Sequence, residues 1–349
     1  MKKKIVRKAT NLIPTVSDVP FGYIYPSPDD GWDLNPNGVN PYFITGFVDG
    51  EACFIISVLK NQKLKIGWEV QVIFTINLAE KDRALLKLIQ SFFNGVGSIT
   101  KHDKNSLKYR VASIQDLGIV ISNFDKYPLI TQKKADYLLF KEAFHIVKSK
   151  NHLTTEGLHK IIAIKASLNN GLPDKLKTAF PGVLPVPRPL VLGSLCPQRI
   201  KDPSWLAGFA SAEGCFMIKS QESRSGSKVY AGLVFSVSQH SRDEGLMRDL
   251  INYLGCGNYY PNLKVDKGEY VVVRFNDIES KIIPFFNKYP IGGVKALDFA
   301  DFKKAADIVK VKGHLTRTGL VEILKIKEGM NTGRVVSKTV STTSRTPFR

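Results

Sequence analysis

The sequence predicts an α+β protein built from two tandem copies of one unit, each a four-stranded antiparallel sheet with helices packed on one face. Three observations carry this. The chain repeats itself at an offset of 162 residues. In each copy, segments alternate apolar and polar residues with the strand period of two. Others space apolar residues at the helical period and end at glycine. A length of 349 residues also suits two domains better than one core.

The repeat is detailed. Gly46 pairs with Gly208, Glu51 with Glu213, Cys53 with Cys215 and Phe54 with Phe216. Lys126-Tyr-Pro returns as Lys288-Tyr-Pro, and His152-Leu-Thr as His314-Leu-Thr. Lys133 and Asp136 match Lys295 and Asp298, while Asn169 and Gly171 match Asn331 and Gly333. Agreement at both ends of a unit of about 120 residues marks a duplicated domain.

Residues 1–40 read as an extended arm or a leftover leader. The basic start, with Arg7 and Lys8, resembles part of a transit peptide until Asp18, Asp29 and Asp30 interrupt it. The first copy spans 41–172. A short apolar helix (43–52) runs into a strand (53–60). A second strand (68–77) places Trp68, Val70, Val72, Phe74 and Ile76 on one face. Leu85, Leu86, Leu88, Ile89, Phe92 and Phe93 then form a helix that stops at Gly95. Two strands around 97–113 turn at Asp103, and helices near 115–124, 131–148 and 155–167 close the unit. Residues 173–202 form a linker, whose Pro-rich stretch 180–189 excludes helix. The second copy spans 203–333. The Ser/Thr/Arg-rich tail, 334–349, reads as disordered.

Lys and Arg number 50 against 31 Asp and Glu, a formal charge of +19 that suits a polyanionic partner such as nucleic acid. No apolar run approaches the ~18 residues of a membrane span. The four cysteines lack C-x-x-C spacing, which argues against a zinc ribbon or a disulfide scaffold and for a reducing compartment. The six histidines show no ligand spacing, and His152 and His314 precede a Thr placed to cap a helix.

The segments Ile44-Thr-Gly-Phe-Val-Asp-Gly-Glu-Ala and Leu206-Ala-Gly-Phe-Ala-Ser-Ala-Glu-Gly carry the chemistry. Gly46 and Gly50, and Gly208 and Ala212, each clear one helical stripe, so the two helices can pack closely at a domain interface. Glu51 and Glu213 follow at the helix C-termini, where partial negative charge disfavours a carboxylate. Two such carboxylates beside phosphate call for a hard divalent cation. A lone Glu at a helix end is ordinarily a surface residue; its duplication at equivalent positions is what singles it out.

These segments resemble the paired motifs of the LAGLIDADG homing endonucleases, and the resemblance runs from Pro41 to Arg334, closest in style to single-chain enzymes of fungal mitochondrial introns. It implies tandem pseudo-symmetric αββαββα repeats whose sheets form a DNA-binding saddle. The implied activity is hydrolysis of one phosphodiester in each strand of a long non-palindromic duplex, across the minor groove. The implied cofactor is Mg²⁺, or Mn²⁺ or Ca²⁺ in the same site, held by Glu51, Glu213 and the backbone at Ala52 and Gly214. Lys133, Lys295 and Gln239 match the family's pocket residues, which polarise or order water and phosphate. The local offset puts Leu78 opposite Gln239, which implies unequal halves. Ala52 replaces the last motif glycine and Ser211 the first motif acid; Asp49 and Ser211 are expected to hydrogen-bond near the helix ends. The partner is double-stranded DNA, with intron RNA as a further candidate, without membrane or obligate protein partner, and the resemblance implies a mitochondrial location. The alternatives are an intron maturase on the same fold and a DNA-binding regulator with an inactive centre.

Strand alternation then selects the DNA face. In the first copy it comprises Ser57, Leu59, Asn61, Glu69, Gln71, Thr75, Asn77, Ser98, Thr100, Lys108 and Arg110. In the second it comprises Lys219, Gln221, Tyr230, Ser236 and Ser238.

Overall fold

The computed structural model describes residues 38–191, 200–222 and 229–334. Residues 1–37, part of the linker and the tail beyond Arg334 lie outside them. The first repeat runs α1 (Pro41–Glu51), β1 (Ala52–Lys60), β2 (Trp68–Ala79), α2 (Arg83–Phe92), β3 (Ser98–Lys101), β4 (Ser106–Val111), α3 (Ile114–Lys126), α4 (Lys133–Lys148) and α5 (Thr155–Ser167). After a short helix α6 (Asp174–Ala179), the second repeat runs α7 (Pro203–Glu213), β5 (Gly214–Glu222), β6 (Val229–His240), α8 (Glu244–Leu254), β7 (Asn258–Asn262) and β8 (Lys267–Val272). It ends with α9 (Phe275–Asp277), α10 (Ile283–Lys288), α11 (Lys295–Lys310) and α12 (Arg317–Glu328), α9 and α10 being joined by a π turn. The sheets have orders β1-β2-β4-β3 and β5-β6-β8-β7, antiparallel throughout.

Each sheet buries one face. Phe54, Ile56, Phe74, Ile76 and Tyr109 pack under the helices of the first repeat, and Phe216, Ile218, Phe235, Val237 and Tyr270 under those of the second. The aromatic rings interlock, Phe54 touching Phe74, Phe124, Tyr137 and Phe140.

The two repeats meet through α1 and α7. Asn40 caps α1 by accepting from Tyr42 N–H at 2.8 Å, and Asp202 caps α7 by accepting from Ser204 N–H at 2.8 Å, with proline in each first turn. The Asn40 cap moves the α1 start from the expected 43 to Pro41. A Cβ at Gly46 would strike the Trp205 carbonyl, and one at Gly208 the Phe43 carbonyl. Glycine is therefore required there by backbone approach. Ala207 consequently belongs to the first repeat's core, and Tyr42 packs against the second.

Two boundaries differ from the sequence reading. The linker opens with α6, and its Phe180 packs on Trp68 and His159 while Arg188 pairs with Asp136 at 2.8 Å. The segment is thus docked on the first repeat. Arg334, assigned to the tail, is held at 2.8 Å from Asp298 and 2.6 Å from Asp301. Both segments find partners across the fold, which local composition does not reveal.

Candidate active site and nucleic-acid interface

Glu51 and Glu213 end two helices that touch along their whole length, so the close packing of α1 on α7 brings them together. Glu213 Cγ stands 3.1 Å, and its Oε1 3.5 Å, from the point a Gly50 Cβ would occupy. Both side chains are half-buried. Burial pushes the Glu51 carboxyl above its ordinary range, and the Glu213 charge adds to the rise. Burial likewise raises Glu213, opposed by Lys133 and then Lys295. Two partly desolvated carboxylates that repel one another are what a cation would relieve.

The lysines answer the helix ends. Lys133 Nζ donates to the carbonyls of Val48 at 3.0 Å and Gly50 at 2.6 Å. Lys295 Nζ donates to those of Ala210 at 3.2 Å and Ala212 at 2.8 Å. Each thus covers the negative end of the motif helix in its own repeat. Two of an ammonium's three N–H donors are used this way. Burial lowers both lysines, while neighbouring carboxylates oppose the fall, Asp49 first for Lys133 and Glu213 first for Lys295.

Asp49 and Ser211 face inward. Asp49 accepts from Ile130 N–H at 3.1 Å, from Thr131 N–H at 3.2 Å and hydroxyl, and across the interface from Trp205 Nε1 at 2.8 Å. Ser211 Oγ donates to the Ala207 carbonyl and accepts from Gly292 N–H at 2.8 Å. Each thereby fixes the loop that leads to its own repeat's lysine. Ala52 and Gly214 have φ of −83° and −77°, so alanine is accommodated in the first motif without strain.

A cleft of about 670 Å³ opens beside the first carboxylate, lined by Glu51, Asn77, Leu78, Asp82, Ser211 and Lys295. Leu78 thus occupies the position that Gln239 holds in the other repeat. Gln239 itself is the penultimate residue of β6, on the core-side parity, with its Oε1 accepting from His240 N–H at 2.9 Å. Among the described residues no three His, Cys, Asp or Glu side chains cluster as a metal site. A cation between Glu51 and Glu213 would complete its shell with backbone carbonyls, water and phosphate, a donor set of oxygens that suits a hard ion.

The strand faces carry most of the residues that alternation selected. Ser57 pairs across from Gln71, Leu59 from Glu69, Asn77 from Lys108, and Arg110 from both Thr75 and Ser98. They also bond to one another. Asn61 donates to Glu69 at 3.1 Å, Gln71 to Glu69 at 2.7 Å, and Arg110 to Gln71 at 2.9 Å. Ser98, Thr100, Lys219, Gln221 and Tyr230 are exposed, and Lys108 and Ser238 half-buried. Thr75 and Ser236 need correction as contact residues. They share this face but are only 4% and 2% exposed, because central-strand positions are covered by neighbouring side chains.

The reading missed the β7–β8 part of the second face. Asn258, Tyr260, Glu269 and Val271 stand opposite one another there as Ser98, Thr100, Lys108 and Arg110 do in the first. Carrying those positions through the repeat would have found them. An acid and a valine replace Lys and Arg, so the two faces differ chemically.

Residues 44–144 and 206–306 each match the family model described as LAGLIDADG endonuclease. A Neurospora crassa protein named "Probable intron-encoded endonuclease 2" is 43% identical over 303 residues, covering 84% of this chain and 65% of that protein. The chain therefore spans just under two thirds of that relative's length. The crystal structure of the I-SmaMI LAGLIDADG homing endonuclease bound to cleaved DNA is 44% identical, with a TM-score of 0.82 over 87% of this chain and 100% of that one. I-SmaMI bound to an uncleaved DNA target in the presence of calcium ions is also 44% identical, with a TM-score of 0.81 over 84% of this chain and 99% of that one.

Proposed function

This chain belongs to the LAGLIDADG endonuclease family, and from that membership and the geometry above we propose that it makes a double-strand break in one long, non-palindromic DNA target. The observation that supports this most is the approach of Glu51 and Glu213 at the ends of α1 and α7, which pack side by side. Glu51, Glu213 and the Ala52 and Gly214 carbonyls would hold Mg²⁺, or Mn²⁺ or Ca²⁺ in its place. Such an ion, when bound, supplies Lewis-acid polarisation of a phosphate and a more acidic water.

The chain's own groups do the rest. Lys133 and Lys295, anchored on the helix ends, hold positive charge where negative charge grows on the phosphate. Gln239 orders water beside one carboxylate, whereas Leu78 gives the other an apolar wall. The strand faces read base edges in the major groove, and the charge of +19 supplies phosphate affinity. Because one chain provides both halves, no second copy is needed. The intron-encoded relative motivates a mitochondrial setting and an intron-borne gene.

The test is incubation of the full chain with DNA of the intron-less form of its host gene, with Mg²⁺ and then with EDTA. The expected result is a break in both strands that EDTA abolishes. Undiminished cutting in EDTA contradicts the mechanism, and splicing of the intron RNA without DNA cutting would favour a maturase.

A further inference from the structure

Two other carboxylates reach between the repeats. Asp82 closes the 3₁₀ turn after β2, and Asp243 closes the equivalent turn after β6. Asp82 Oδ1 accepts from Val294 N–H at 2.7 Å, and Asp243 Oδ1 accepts from Gln132 N–H at 2.7 Å. Val294 and Gln132 immediately precede α11 and α4, whose first residues are Lys295 and Lys133. Neither Val294 nor Gln132 caps its own helix with its side chain. The open N–H groups of a helix start attract a carboxylate, and here each carboxylate comes from the opposite repeat. The seat is close: a Cβ at Gly293 would stand 2.6 Å from Asp82 Oδ1.

The same loops are held from within their own repeats, by Asp49 on Ile130 and Thr131 and by Ser211 on Gly292. Each lysine-bearing segment is therefore fixed at two points, one from each repeat. Asp82 also lines the cleft that holds Glu51 and Lys295, although its Oδ1 is engaged by the Val294 amide.

We propose that Asp82 and Asp243 are positioning residues acting in trans, Asp82 setting Lys295 and Asp243 setting Lys133. Each active-site lysine then stands correctly only when the two repeats are in register. This rests on the nuclease reading above. Displacing a charged group by a fraction of an ångström slows chemistry while leaving distant DNA contacts in place.

The experiment follows each strand separately on a duplex spanning the intron insertion point of the intron-less host gene, with protein in excess. Asp82→Ala should slow one strand by roughly ten- to a hundredfold, and Asp243→Ala the other. Duplex affinity should stay within about threefold of wild type. Asp82→Asn and Asp243→Asn should recover most of the rate, because the amide oxygen still accepts from Val294 or Gln132. Should the alanine proteins fail to fold, Asp82→Glu and Asp243→Glu carry the same strand-selective expectation, since they move the oxygen by one methylene. Equal slowing of both strands, no slowing, or asparagine as poor as alanine overturns the proposal, the last by making these carboxylates metal-holding groups. Wild-type protein that cuts neither strand overturns the nuclease reading itself, and this proposal with it.

Discussion

Lys133 Nζ donates to the Gly50 carbonyl at 2.6 Å, one residue before Glu51, so the cation sits on the helix end that carries the carboxylate. Lys295 does the same at Ala212, one residue before Glu213. The unfavourable placement of a carboxylate at a helix C-terminus is thereby offset at the helix carbonyls themselves. Such a site is expected to be costly to the apo fold and useful to the reaction.

That cost is measurable. Because the folded-state pKa of Glu51 and Glu213 is raised, their contribution to stability falls as pH rises from the ordinary carboxylate range through the raised value. Glu51→Gln or Glu213→Gln should therefore raise the melting temperature at pH 7 in EDTA, and the gain should vanish in acid. Added Mg²⁺ should stabilise wild type more than either variant. Thermal scans across pH check this; variants less stable than wild type at pH 7 contradict it.

The pH dependence of cutting follows from the same shifts. In limiting Mg²⁺ the raised glutamates move the acid limb of the rate profile above the ordinary carboxylate range, and added Mg²⁺, which binds the deprotonated form, moves it back down. Lowered lysines bring the alkaline limb below the ordinary lysine range. The profile should be narrower than free side chains would give. Lys133→Arg should move the alkaline limb upward if that lysine sets it. Single-turnover rates from pH 5 to 11 provide the check.

The α1–α7 contact has no room to spare. Gly46→Ala should destabilise the protein by about 1–3 kcal/mol or more, because the new methyl meets the Trp205 backbone. Gly232→Ala, at an open position on β6, should change stability little. Urea unfolding of the two variants compares them directly.

Recognition and chemistry should separate by mutation. Arg110→Ala and Lys219→Ala should each cost about 1–3 kcal/mol in binding and relax preference at one or two base pairs. Arg110→Ala also frees Gln71 from its bond, so its effect should extend to the position Gln71 reads. Lys133→Ala should slow every target alike. Base-substitution profiles of the target distinguish them, and an altered profile for Lys133→Ala would mean that the sheet face has been assigned wrongly.

Much of this architecture was legible because duplication repeats its own evidence. The offset locates Glu51 with Glu213 and Lys133 with Lys295, and the period of two on β2 selects the face bearing Glu69, Gln71 and Asn77. What stayed hidden depends on contacts between distant segments. Asp82 and Asp243 look like ordinary turn residues until the other repeat's helix start is seen above them. Arg334 looks like tail until Asp298 and Asp301 meet it. Thr75 and Ser236 have the right parity, but alternation reports direction and not the cover given by adjacent strands.

The hydrolytic centre is proposed to be Glu51 and Glu213 together. Its most direct measurement is strand cleavage by Glu51→Gln and Glu213→Gln on the wild-type target with Mg²⁺, alongside duplex affinity. Double-strand cutting should be lost in each single variant, while affinity stays within roughly tenfold of wild type. Both variants cutting both strands at the wild-type rate would contradict it.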